Sequence, residues 1–118
     1  MLRDVIIPDS LTTFFLHRSD IIASVALNPQ QEIRILQVED DQGFADLTKT
    51  VLERENDSFT VETVAGADEG FEHISAHTPD CVVSDYNLPG MDGLELLQAV
   101  RAEHPDLPFI LFTGKGSE

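Results

Sequence analysis

The stretch Val82-Val83-Ser84-Asp85-Tyr86-Asn87-Leu88-Pro89-Gly90-Met91-Asp92-Gly93 decides how this chain folds. Cys81-Val82-Val83 is a short apolar run, as a strand buried on both faces requires, and it leads straight into Ser84 and the acid Asp85. Pro89 fixes φ and Gly90 permits the positive φ of a tight turn, so residues 87–93 read as a compact loop. Asp92 suits the cap of a following helix, on which Leu94, Leu97 and Arg101 ride with Leu96 and Val100 beside them. The unit is strand, loop, helix, with a carboxylate at the strand tip.

Outward from that unit, strands and helices alternate. Toward the C-terminus, Pro105 and Pro108 bound a turn, and Phe109-Ile110-Leu111-Phe112 is a strand running into Thr113-Gly114. Toward the N-terminus, Ile33 to Val38 is a β-rich run ending in Glu39-Asp40-Asp41. A helix from about Gly43 to Glu55 places Phe44, Leu47, Val51 and Leu52 on one face, and Asn56-Asp57-Ser58 stops it. Phe59 to Val64 is a further strand; Ala67 to about His77 is a helix carrying Phe71 and Ile74, ended by Pro79-Asp80. Four strands linked by helices predict an α/β fold with a doubly wound parallel sheet, because parallel neighbours need crossover connections. Sites in such sheets lie beyond the carboxyl ends of the strands.

Residues 1–31 read as an N-terminal extension and 32–118 as the α/β domain. Leu11, Phe14, Phe15, Ile21, Ile22 and Val25 fall near helical spacing, with Arg18 breaking the stripe, and Asn28-Pro29-Gln30-Gln31 reads as a linker. Twenty-two acids against seven bases give a net charge of −15, and nineteen of those acids lie in 32–118. That field disfavours nucleic acid and anionic lipid and favours cations. Only two of the seven bases are lysine, a balance like that of proteins from salt-rich, halophilic cytoplasm. The lone Cys81 has no disulfide partner and reads as a small buried hydrophobe. No apolar run approaches the roughly 20 residues of a membrane span, and Asp4 and Asp9 around Val5-Ile6-Ile7 spoil a signal peptide. The expected location is cytoplasmic, with no membrane and no nucleic-acid partner.

The strand-tip rule brings chemistry together. Glu39 and Asp40 end one strand, Asp85 another and Thr113 a third. In so acidic a chain any one such acid is most simply a solvated surface group. Three converging on one mouth repel one another unless a cation lies between them, and hard oxygen donors at a cramped site suit Mg²⁺. The four histidines, His17, His73, His77 and His104, have no ligand spacing and read as surface residues.

These residues also carry a family resemblance. Ile35-Leu36-Gln37-Val38-Glu39-Asp40-Asp41 resembles the opening strand and acid pair of response-regulator receiver domains. Val82 to Gly93 resembles their phosphoacceptor strand and loop, and Phe109-Ile110-Leu111-Phe112-Thr113-Gly114 their fourth strand and switch hydroxyl. The resemblance implies a flavodoxin-like receiver fold that accepts a phosphoryl group on Asp85 from a histidine kinase, a phosphotransfer protein or a small phosphodonor. It implies that Glu39, Asp40, Asp85 and the backbone carbonyl of Asn87 hold Mg²⁺, that Thr113 donates a hydrogen bond to the phosphoryl group, and that Asp41 is not a ligand. Such a domain signals by self-phosphorylation and self-dephosphorylation at most; it is not an enzyme proper.

The pattern departs from the family after Thr113. No counterpart of its last strand and last two helices follows, and with them go the strand-five lysine and aromatic; Lys115 does not match that lysine. The expected consequence is an exposed strand-four edge, covered either by the helix of Leu11–Leu27 folding back or by a homodimer through the open edge. Two rival functions stand beside the phosphoacceptor: a pseudo-receiver serving as a protein-interaction module, and a Mg²⁺-dependent phosphohydrolase.

Overall fold

The computed structural model describes residues 4–8 and 32–113. Among these described residues the elements in chain order are β1 (Asp4–Pro8), β2 (Ile33–Val38), α1 (Gln42–Glu55), β3 (Phe59–Val64), α2 (Ala67–Ala76), β4 (Cys81–Asp85), α3 (Gly93–Glu103) and β5 (Phe109–Thr113). The strands form one parallel sheet in the order β1-β5-β4-β2-β3. The expected helix of Leu11–Leu27, the linker at 28–31 and Lys115 lie outside the described residues.

One expectation is overturned. The edge of β5 is not open: Asp4–Pro8 pairs along it in parallel, from Asp4 beside Phe109 to Pro8 beside Thr113. A homodimer through that edge would therefore have to displace the chain's own first strand. The physical reason is that Val5-Ile6-Ile7 is a β-branched run, well suited to a pleated surface, and β5 offers it a full row of backbone donors and acceptors.

Side chains alternate across the sheet and divide the core in two. On one face Leu36, Val38, Val82, Phe109 and Leu111 pack with Ala67 and Ile74 of α2 and Leu96, Leu97 and Val100 of α3. On the other, Ile33, Ile35, Phe59, Val61, Cys81, Val83, Ile110 and Phe112 pack with Leu52 of α1. The inward stripe of α1 is narrower than its apolar residues suggest: Ala45, Thr48 and Leu52 are buried, while Leu47 is 48% exposed. Close approach explains this, since Gln37 on β2 donates from Nε2 to the Ala45 carbonyl at 3.2 Å, and small residues let the helix come that near. Burial of Cys81 pushes its thiol up to about 12, with Asp80 adding to the effect. His73 is half-buried against Glu62 at 2.6 Å, less of a free surface residue than its sequence suggested.

The outer edge of β3 is closed by a charged pair from α1. Lys49 Nζ donates to the Val61 carbonyl and to Glu53, both at 2.8 Å, and the Val61 N–H donates to Glu53 at 2.9 Å. Both edge-facing backbone groups of Val61 are thus occupied, which blunts the edge. The Lys49 hydrogen bond, then that from Val61, hold the Glu53 carboxyl below its ordinary value.

Two outcomes follow from this packing. Leu52→Ala should cost about 2–5 kcal/mol in urea unfolding, whereas Leu47→Ala on the same helix should stay within about 0.5 kcal/mol. Because the folded Glu53 pKa is lowered, its contribution is complete above the unfolded value of about 4.3 and is lost as pH falls through the folded one. Glu53→Gln should therefore flatten the acid limb of the stability-versus-pH curve, measured by urea midpoints below about pH 5.

Candidate metal centre

Two strand ends build the site. After Val38, the Glu39 N–H donates to the Val64 carbonyl at 3.0 Å, so β2 holds its direction one residue past its last ladder pair. Asp41 then starts α1 as its cap, accepting from the Phe44 N–H at 3.1 Å. Its own N–H donates to Glu39 Oε2 at 3.3 Å, which turns the glutamate back over the strand tip. Asp41 thus caps the helix with its side chain and orients Glu39 with its backbone.

β4 brings Asp85 to the neighbouring tip, with β2 and β4 paired directly from Ile35 beside Cys81 to Val38 beside Ser84. The Tyr86 N–H donates to the Phe112 carbonyl at 2.9 Å and extends the strand's alignment past Asp85. The Asn87 N–H reaches Asp85 Oδ1 at 3.4 Å, so the start of the loop is tethered to the carboxylate. Gly90 has φ of 75°, the conformation the Pro-Gly pair calls for. Asp92 and Glu95 form a reciprocal capping box, each side chain accepting from the other's N–H at 2.9 Å.

The result is a cluster in which Glu39, Asp40 and Asp85 each offer a carboxylate oxygen within 4.8 Å of the others. Glu39 is 4% exposed and Asp85 2%, while Asp40 and Asn87 are exposed at the rim. Asp85 is thus nearly closed off from solvent, with access only from the side of Asp40 and Asn87. Three close carboxylates, two of them out of water, are electrostatically costly alone and match the hard oxygen donor set of a small divalent cation. Thr113 ends β5 one position beyond Phe112, the residue in register with Asp85, so its backbone lies along the same row of strand tips.

One contributor is missed by sequence reasoning. Gly93 is buried under the loop, its N–H donating to the Tyr86 carbonyl at 2.9 Å. A Cβ there would lie 2.3 Å from the Asp85 carbonyl oxygen, 2.7 Å from Leu111 Cδ1 and 3.0 Å from Tyr86 Cα. Only glycine lets α3 start directly against the Asp85 peptide. The signal was its place just after the Asp92 cap, where the helix must turn back beneath the strand tip.

Comparison with known proteins supplies the wider context. A family model described as the response regulator receiver domain matches residues 35–118. The C4-dicarboxylate transport transcriptional regulatory protein DctD of Rhizobium meliloti is 39% identical over 82 residues, covering 70% of this chain and 17% of that protein. Response regulator Rre1 of Synechocystis is 33% identical over 88 residues, covering 73% of this chain and 38% of its own length. The chain thus spans well under half of these curated relatives. Among solved structures, the non-phosphorylated HemR receiver domain from Leptospira biflexa superposes with a TM-score of 0.63 at 32% identity, covering 73% of this chain and 68% of that one.

Gly93→Ala should destabilise the fold by about 1–3 kcal/mol, the usual cost of forcing extra volume into a packed site. Asp92→Ala should cost about 0.5–2 kcal/mol through the lost cap, and chemical denaturation of each variant checks both.

Proposed function

This chain belongs to the response regulator receiver family, and from that premise we propose that it is a phosphoacceptor domain of a two-component phosphorelay, taking a phosphoryl group on Asp85 with Mg²⁺. The observation that carries the proposal is the convergence of Glu39, Asp40 and Asp85 within 4.8 Å at adjacent strand tips. Glu39, Asp40, Asp85 and the Asn87 carbonyl are the groups that would hold the ion. When bound, Mg²⁺ would offset the like charges of carboxylate and phosphoryl group.

The chain's own residues do the rest. An Asp85 carboxylate oxygen attacks phosphorus; the bond from phosphorus to the donor's imidazole nitrogen or acyl oxygen breaks, and the leaving group departs with its electron pair. The Asn87 N–H, 3.4 Å from Asp85 Oδ1, orients the carboxylate, and Ser84 Oγ donates to the Asp85 backbone carbonyl at 2.9 Å beside it. Thr113 would donate to a phosphoryl oxygen. Since Asp85 is 2% exposed, the donor must enter past Asp40 and Asn87, and the loop of 86–92 must give way to admit it. The donor would be a histidine kinase or phosphotransfer protein. The acidic, lysine-poor composition suits a salt-rich cytoplasm and gives nucleic acid no foothold. Among the described residues no helix is long and apolar enough to cross a membrane.

A second reading, the pseudo-receiver that binds partners without switching, draws on two observations. Asp85 is buried, and the strand lying beyond β5 reads Asp-Val-Ile-Ile-Pro, without the lysine that the resemblance implies at the end of a fifth strand. Incubation with a small acyl phosphate and Mg²⁺, followed by intact mass, separates the two. The phosphoacceptor reading expects one added phosphoryl group, absent in Asp85→Asn and formed at least about tenfold more slowly in Asp40→Asn, a barrier increase of about 1.4 kcal/mol. No adduct on the unsubstituted chain would leave the pseudo-receiver.

A further inference from the structure

Gln37 is a buried polar residue that packing alone does not explain. It stands on β2, on the same face as Ile33 and Ile35, is 1% exposed, and lies in register between Val83 of β4 and Thr63 of β3. Its Nε2 donates to the Ala45 carbonyl at 3.2 Å and to Thr63 Oγ1 at 3.1 Å. Its Oε1 is buried and accepts no hydrogen bond among the described residues. Burying an amide oxygen without a donor is unfavourable, so an apolar side chain of similar shape would serve the core at least as well. What the amide adds is a connection.

Hydrogen bonds run from it in a closed circuit beneath the acid pair. Gln37 Nε2 holds the carbonyl of Ala45, whose own N–H donates to the Asp41 carbonyl at 2.9 Å. The Asp41 N–H donates to Glu39 Oε2 at 3.3 Å, and the Glu39 N–H to the Val64 carbonyl at 3.0 Å. Val64 follows Thr63, which takes the second hydrogen of the Gln37 amide. The end of β2, the first turn of α1 and the end of β3 are thereby tied to one another just below the strand tip. Asp40 is carried between Glu39 and Asp41 at the top of the circuit. Lys49 also binds α1 to β3, but at Val61, one helical turn farther from the site.

The ion is what makes such a brace matter. Mg²⁺ demands nearly octahedral bonds of about 2.1 Å, and ligands displaced by more than about 0.5 Å no longer meet it. Asp40 is exposed at the rim, so its place is set by the backbone that carries it. That backbone runs into the Asp41 cap, and the seat of α1 on β2 fixes the cap.

On the reading that Glu39, Asp40 and Asp85 bind one cation, we propose that Gln37 is a positioning residue for that site. Its amide closes the circuit that holds Glu39 and Asp40 at the height of Asp85. Its contribution is to affinity for the ion and not to the stability of the fold.

Titration of the full chain with Mg²⁺ alone, beside urea unfolding without the ion, tests this. Gln37→Met keeps the length of the side chain and removes the amide. It should raise the Mg²⁺ dissociation constant at least about threefold, with a urea midpoint no lower than that of the unsubstituted chain. Removing a group bonded directly to a metal ligand typically costs more, roughly 10- to 100-fold. Thr63→Val cuts the same circuit on β3 and should weaken binding in the same direction, and the double variant should bind no more weakly than Gln37→Met. Unchanged affinity in a folded Gln37→Met chain would overturn the role of Gln37 and leave the cation site standing. A urea midpoint that falls together with affinity would also overturn it, because Gln37 would then serve the fold. An unsubstituted chain that binds no Mg²⁺ would remove the cation site and this role with it.

Discussion

Electrostatic crowding at the tips of β2 and β4 is the constraint on which the account turns. Glu39, Asp40 and Asp85 come within 4.8 Å because two parallel strands pair in a register that ends them at the same height. Nothing local to either segment favours that arrangement; three like charges are driven together by the apolar core beneath them. Leu36, Val38, Val82 and Leu111 are each at most 1% exposed, and their burial is the favourable term against which the repulsion is set. A divalent cation held among the three carboxylates would offset that repulsion, and the proposed function rests on it.

The surroundings of the cluster serve its geometry. Asp41 orients Glu39 while capping α1, Gly93 lets α3 abut the Asp85 peptide, and the Asp92–Glu95 box fixes where that helix begins. Each device is a backbone contact, and each would be disturbed by a side chain of the wrong size. The cost is access. A carboxylate held this tightly is also nearly sealed from solvent, so under the proposed function a phosphodonor would reach Asp85 only if the loop between β4 and α3 moved.

Much of this was legible in the sequence because the signals are local. The β-branched runs Ile33–Val38 and Phe59–Val64 match their strands residue for residue, and Asn56 and Asp92 act as the stop and cap their chemistry suggests. The acid cluster was readable once the strand-tip rule was applied. What escaped is non-local. Leu47 counts as apolar in any helical pattern, but the close seat of α1 on β2 selects Ala45 and Thr48 for the interior. Asp4–Pro8 is too short to announce itself, and its partner, β5, lies at the far end of the chain. The burial of Asp85 depends on how the loop folds back over it, which spacing alone does not encode. The resemblance pointed to a vacant place beside β5; the sheet shows that residues from the other terminus take it.

The most direct measurement is titration of the chain with Mg²⁺, followed by amide shifts of residues 39–41 and 85–88. Saturable binding of one ion, weakened at least about tenfold in Asp40→Asn and in Asp85→Asn alike, is the predicted result and corresponds to about 1.4 kcal/mol per lost carboxylate. Binding that is absent, or that survives Asp85→Asn unchanged while both proteins stay folded, would contradict the claim that these three carboxylates serve one cation.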